Sequence, residues 1–176
     1  MKNNILVLLF MSLLMKPIEI EISISEQKLF LLNSESVIKT YQISSSKYGE
    51  GSKANSFKTP LGRHVIKRKI GKDVPKGARF IGRSFSGEIY PIYNANKVIV
   101  EDDVVQSRIL WLDGLEIGIN KGKDVDSYNR YIYIHGTPEE WLLGTKASKG
   151  CIRMSNEDVI ELFHLVEEGM LVTINK

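Results

Sequence analysis

Residues 130–154 read RYIYIHGTPEEWLLGTKASKGCIRM. The first six alternate: Ile132 and Ile134 fall on one face of an extended segment, and Tyr131, Tyr133 and His135 fall on the other. Arg130 to His135 therefore reads as a strand with one buried face. At the far end, Gly150-Cys151 lies on a turn just before a helix. Ser155 stands three residues before Asp158 in a capping-box pattern, and Val159, Ile160, Leu162, Phe163 and Val166 follow at helical spacing, with Gly169 as the expected stop. The sixteen-residue excursion from His135 to Cys151 is long enough to return the chain beside its starting point.

Upstream of this stretch the chain is a series of short apolar runs. Ile18, Ile20, Ile22 and Ile24 alternate with Glu19, Glu21 and Ser23; Lys28 to Leu32 is followed by the turn signal Asn33-Ser34; Val37 to Ile43 alternates again. These three segments predict an opening meander. Residues 44–58 read as a loop, Thr59-Pro60-Leu61-Gly62 as a turn, and Arg63 to Lys67 as a strand. The Gly- and Lys-rich residues 71–88 read as a long loop. Short runs follow at Lys97 to Val100, Arg108 to Leu112 and Leu115 to Ile119, and Leu171 to Ile174 closes the chain as a strand. The expected fold class is mainly β, sandwich- or barrel-like, with one prominent C-terminal helix.

A chain of 176 residues is one domain's worth, and 43% apolar with 26% charged residues is ordinary globular composition. Without residues 1–16 the balance is 22 basic against 21 acidic, which removes any charge argument for a nucleic-acid partner. Lys67, Arg68, Lys69 and Lys72 read as a solvated face. Lys2 followed by the apolar run Ile5 to Met15 reads as an export leader over residues 1–16, shorter than the roughly 20 residues a membrane span needs. No small-x-small cleavage site follows it, and a buried N-terminal segment is the alternative. The expected organisation is a leader over 1–16 and one domain over 17–176.

Cys151 is the one cysteine. An unpaired thiol in an oxidising compartment is a liability, so it is either buried and inert or retained for its chemistry. A thiol attacks carbonyls as thiolate, and an imidazole within hydrogen-bond reach takes its proton and returns it to a leaving amine. Backbone N–H groups of a turn flanked by Gly150 suit a developing oxyanion. The residues alone leave two readings open: a nucleophile and base at Cys151 and His135, or a buried cysteine and a strand-end histidine bonded to backbone. His64 is expected to face a loop, and His164 to lie opposite the helix's apolar stripe. Three scattered histidines and one cysteine give no metal-ligand spacing, and no phosphate-binding glycine loop is present, so no metal or cofactor is expected.

The segment resembles the signature of the L,D-transpeptidase catalytic domain, the YkuD-like family. That signature has a His-Gly at a strand end, a spacer, then Ser-His-Gly-Cys, an aliphatic residue and Arg. The matches are His135-Gly136-Thr137 and Ser148-x-Gly150-Cys151-Ile152-Arg153-Met154, continued by Asn156, Asp158 and Leu162. Gln27 to Leu31 resembles the family's opening hairpin, and Thr59-Pro60-x-Gly62 its turn, so nearly all of residues 18–175 is covered. The resemblance implies that Cys151 is the nucleophile and His135 the general base and acid, with the Gly136 carbonyl orienting the imidazole. It implies an oxyanion hole from backbone around Lys149, Gly150 and Cys151. Arg153 and Asn156 are candidates for ordering the loop or meeting a substrate carboxylate. Tyr133 and Trp141 are further candidate substrate contacts. One departure stands out: Lys149 occupies the place of the family's second histidine, where an ammonium favours the thiolate by charge but is a poor proton acceptor.

The implied reaction acylates Cys151 on a tetrapeptide stem of peptidoglycan, releases D-Ala and transfers the acyl group to an amine. The acceptor is another stem, a lipoprotein lysine or a free D-amino acid. Carbapenem acylation of Cys151 and a location on the periplasmic or cell-wall side of the membrane are further expectations. The rivals are an L,D-carboxypeptidase using water, and a wall-binding module whose site no longer reacts.

Overall fold

The computed structural model describes residues 18–34 and 36–176; the leader expected over 1–16 lies outside the described residues. The alternating isoleucines form β1 (Ile18–Ser23), antiparallel to β2 (Lys28–Asn33), which pairs in turn with β3 (Ser36–Gln42). Ile20 and Ile22 point into the core with Leu29 and Leu31, as period-two alternation requires. β4 (Gly62–Ile70) runs three residues beyond the strand expected there.

Residues 71–88, expected to be loop, instead hold a hairpin of β5 (Ala78–Ile81) and β6 (Ser84–Ile89). Every residue of β6 is exposed, so no buried face marks it in the sequence. β7 (Val105–Gly114) is the long central strand, paired with β4 on one edge and with β8 (Tyr133–Gly136) on the other. The runs Lys97 to Val100 and Leu115 to Ile119 form no strand; Ile99 and Ile117 are 76% and 89% exposed. β9 (Ile152–Met154) follows Cys151 directly, and its three buried residues separate the cysteine from the helix.

The helix α1 (Asn156–Leu165) begins on Ser155, whose hydroxyl accepts the Asp158 N–H at 3.0 Å. It ends at Leu165, ahead of the expected stop; Gly169, at φ +90°, makes the turn into β10 instead. β10 (Leu171–Asn175) lies parallel to β1 and antiparallel to β4.

Ser44, just past β3, exchanges two 2.9 Å backbone hydrogen bonds with Arg153 of β9. The path β3-β2-β1-β10-β4-β7-β8-β9 therefore closes on itself, and the β5–β6 hairpin projects from β7 at its rim. The fold is mainly β and barrel-like, with one α-helix among the described residues. Val159, Leu162 and Phe163 of α1 complete the core begun by the strands. His64, expected to face a loop, is instead fully buried in β4: its ring nitrogens meet Gly62 O at 3.0 Å and Ser127 Oγ at 2.9 Å.

Candidate active site

β8 and β9 run side by side and parallel, with Ile134 opposite Ile152 and His135 opposite Arg153. Ile134 and Ile152 turn into the main core. The alternate residues, Tyr133 and His135 on one segment and Cys151 and Arg153 on the other, share the opposite face. The excursion between His135 and Cys151 thus returns the chain one strand spacing away, about 4.8 Å across and about 6.6 Å along. That pairing brings the sequence-identified cysteine and histidine onto one surface.

His135 is fully buried, and its Nδ1 lies 2.8 Å from the Gly136 carbonyl. A carbonyl accepts only, so Nδ1 carries the proton and Nε2 presents its lone pair. Nε2 has no hydrogen-bond partner among the described residues. Gly136 is required beside it, because a Cβ there would stand 2.5 Å from Asn156 Oδ1 and 2.9 Å from the Gln106 carbonyl.

Cys151 is half-buried and packs against the cluster of Phe80, Ile109, Trp111 and Tyr133. Its sulfur accepts the Tyr133 N–H at 3.3 Å, and its thiol donates to the Tyr131 carbonyl at 3.3 Å. At rest the thiol is therefore bonded to backbone and not to the imidazole. Burial pushes the thiol pKa up to about 12, with the Asp103 carboxylate acting in the same direction. Burial also pulls His135 below the usual imidazole value. The resting pair is neutral thiol and neutral imidazole.

Of the three backbone N–H groups expected around the oxyanion, two are engaged: Lys149 N–H donates to Asp103 Oδ2 and Gly150 N–H to Ser148 Oγ, each at 3.2 Å. The Cys151 N–H has no partner among the described residues. Gly150 sits at φ +127°, and Thr59 of the Thr-Pro-x-Gly turn donates to its carbonyl at 3.0 Å, which clamps the cysteine loop.

The remaining sequence candidates are placed unequally. Arg153 is 4% exposed, and its guanidinium donates through Nε at 2.9 Å to Asp103 Oδ1 and through Nη1 at 2.9 Å to Glu139 Oε2. Burial opposes ionisation of Asp103, but Arg153, His135 and the Lys149 N–H together outweigh it and hold that carboxyl below the usual range. Asn156 is also fully buried; it donates to Thr137 O and Glu140 Oε1 at 2.9 Å each and accepts from Ser107 Oγ. Through these bonds both side chains order the loop, and Arg153 also reaches the wall of the neighbouring cavity. Trp141 lines a cavity of about 510 Å³ together with Tyr48, Glu101, Lys149 and Arg153. A smaller cavity of about 210 Å³, lined by Phe57, Arg130 and Tyr131, also ends on Lys149. Lys149 thus stands between two hollows, its Nζ 3.2 Å from the Glu101 carbonyl. Tyr133 is buried edge-on against Trp111, 5.6 Å between ring centres. Among the described residues no cluster of His, Cys, Asp or Glu is arranged to hold a metal.

A family model of the L,D-transpeptidase catalytic domain (YkuD) matches residues 17–174. The chain belongs to this family. It is 56% identical to the YkuD protein of Bacillus subtilis over 43 residues, which is 24% of this chain and 26% of that relative. Its fold is similar to an L,D-transpeptidase from Mycobacterium smegmatis, at a TM-score of 0.54 and 13% identity over 90% of this chain and 58% of that one. It is also similar to L,D-transpeptidase 3 from Mycobacterium tuberculosis, solved with a faropenem-derived adduct, at a TM-score of 0.54 and 16% identity over 90% of this chain and 60% of that one. The chain thus spans about a quarter of the YkuD relative in alignment and about three fifths of these solved structures.

Within this L,D-transpeptidase domain, sequence reasoning missed Asp103, Glu139 and Tyr131. Asp103 and Glu139 hold Arg153 from 50 and 14 residues away, and no local pattern links such positions. Tyr131 acts through its carbonyl, which every residue possesses, so its identity carries no signal; its φ of +58° does, but only in coordinates.

Proposed function

We propose that the domain is a cysteine acyltransferase of peptidoglycan stem peptides. The observation that carries this reading is the parallel pairing of β8 and β9, which sets His135, with Nδ1 held by Gly136 and Nε2 free, on the same face as the Cys151 thiol. Rotation of the thiol away from the Tyr131 carbonyl frees it for the imidazole. Cys151 Sγ attacks the carbonyl between the third stem residue and terminal D-Ala while His135 Nε2 takes the thiol proton. The Cys151 N–H receives the oxyanion. The C–N bond breaks, His135 returns the proton to the departing D-Ala amine, and a thioester remains. An acceptor amine then attacks the thioester, His135 takes the amine's proton, and the sulfur leaves and is reprotonated.

Both groups are neutral at rest, so proton transfer accompanies attack and no standing thiolate is needed. Lys149, between the two hollows, favours negative charge arising on sulfur or oxygen, and the hollows give room for donor and acceptor on either side of the cysteine loop. The same reading places the protein outside the cytoplasm, on the side where stem peptides are exposed, and makes Cys151 a target of carbapenems; relatives of this fold have been solved with a faropenem-derived adduct.

Product analysis tests the proposal. Incubation with a disaccharide-tetrapeptide is expected to yield stem dimers, or exchange products when a D-amino acid is supplied, with free D-Ala. Tripeptide and D-Ala alone would establish water as the acceptor. Stem binding with no release of D-Ala would leave only a binding module and end the catalytic reading.

A further inference from the structure

Two non-glycine residues with strained backbone face one another beside the thiol. Arg83, at φ +69°, is the second residue of the two-residue turn joining β5 to β6, and Tyr131 stands at φ +58°. Positive φ is costly for side chains of this size, and such strain persists where the surrounding structure imposes it and collects at functional sites. Here it brings two groups together. The Arg83 guanidinium carbon lies 4.9 Å from the Trp111 ring centre and 4.9 Å from that of Tyr131. Trp111 is fixed from its other side by Tyr128, stacked at 4.0 Å and 9°. The carbonyl of Tyr131 is the acceptor of the Cys151 thiol. The guanidinium and the thiol therefore meet the same residue, one at the Tyr131 ring and the other at its carbonyl.

The other arginines near the thiol already have partners. Arg153 is bound by Asp103 and Glu139, and Arg130 donates to the Gly51 and Lys58 carbonyls. In the same hairpin Arg79 pairs with Glu88 and Asp102. Arg83 makes no ion pair among the described residues. A guanidinium laid against ring faces loses part of its hydration there; the Tyr133 hydroxyl is a hydrogen-bond neighbour of Arg83, and the remaining N–H groups suit binding of a carboxylate.

We propose that Arg83 is the carboxylate receptor of the acyl-donor subsite: presented by the β5–β6 turn over Trp111 and Tyr131, it binds a carboxylate of the stem peptide and so positions the scissile carbonyl at Cys151. This rests on the acyl-transfer reading above. The carboxylate comes either from the terminal D-Ala or from the side chain of the third residue, and amidation of each separates the two sources.

The experiment measures acylation kinetics of the full chain, wild type, Arg83→Gln and Arg83→Lys, on three tetrapeptide stems: both carboxylates free, the terminal one amidated, and the third-residue one amidated. On the free stem, Arg83→Gln is expected to raise KM by about tenfold or more with kcat within about twofold, and Arg83→Lys to fall between. One of the two amides is expected to make wild type and Arg83→Gln equal, and that amide names the source. An Arg83→Gln effect of the same size on all three stems, or none on the free stem, overturns the inference while leaving acyl transfer intact. Wild-type protein that forms no Cys151 adduct on any stem overturns both.

Discussion

Cys151 holds its proton through a hydrogen bond to the Tyr131 carbonyl, in the turn before β8, and His135 keeps Nε2 empty. With the thiol pushed up to about 12 and the imidazole depressed, both by burial, the pair has no ion-pair form near neutrality. Alkylation of Cys151 by iodoacetamide is accordingly expected to be slow near neutral pH and to rise steadily with pH into the alkaline range. A plateau reached below neutrality would show a preformed thiolate and refute the neutral pair. Lys149 separates from His135 in the same terms. His135→Ala removes the proton carrier, so acylation is expected to fall by about a hundredfold or more. Lys149→Ala removes only a nearby charge, so a partial loss is expected, and stopped-flow acylation rates distinguish the two. A dead Lys149→Ala with an active His135→Ala would exchange their roles. At this scale the sequence was informative about chemistry and silent about geometry. The cysteine and the histidine stood out because the chain has one cysteine and three histidines, and Gly136 because it follows His135 in a specific order. Asp103 and the carbonyl of Tyr131 were not, because nothing in a linear string records which remote carboxylate or which backbone oxygen a fold brings near.

The β8–β9 pair and the loop before it are held from outside by Arg153. Its guanidinium joins Asp103, on the segment leading into β7, to Glu139, in the excursion, and its backbone closes the barrel against Ser44. Arg153→Met would leave two carboxylates facing each other without a cation in a site largely removed from water. Removing one partner of such a buried group typically costs about 3–5 kcal/mol, and chemical denaturation is expected to show a loss of that order. A change below about 1 kcal/mol would mean that solvent already relieves the two charges. Element boundaries were legible where one face is buried and the other is not: β1, β2 and the start of α1 follow their apolar spacing and the Ser155 cap. β6 was not, because a strand exposed along its whole length has no hydrophobic period. β9 was not, because three buried residues after the cysteine turn are too short to show one.

For the whole molecule, closure of the strand path gives a barrel whose core is apolar and whose buried polar residues are held in specific hydrogen bonds. His64 is one of these pins, tying β4 to Ser127 ahead of β8. Burial lowers its pKa from 6.5 to about 4. The folded state therefore binds the proton less readily than the unfolded chain, so this contribution is complete above about pH 6.5 and is lost as pH falls toward 4. The expected magnitude is roughly 3 kcal/mol. Melting curves across that window should show His64→Gln less stable at neutral pH but with a shallower acid dependence than the wild type; parallel acid dependences would remove His64 from the explanation. The barrel-like class was legible from many short strands with one helix, whereas its closure was not, since that depends on isolated bridges, Ser44 to Arg153 and Ser46 to Ser148, between segments about 100 residues apart.

The central claim is that Cys151 forms an acyl-enzyme with His135 as its proton carrier. Intact-protein mass spectrometry after mixing with a stem tetrapeptide tests it most directly, with peptide mapping to locate the adduct. The expected result is a mass gain equal to the stem acyl group without D-Ala, located on residue 151, absent in Cys151→Ala and greatly slowed in His135→Ala. An adduct on Lys149, or an undiminished rate in His135→Ala, would contradict it.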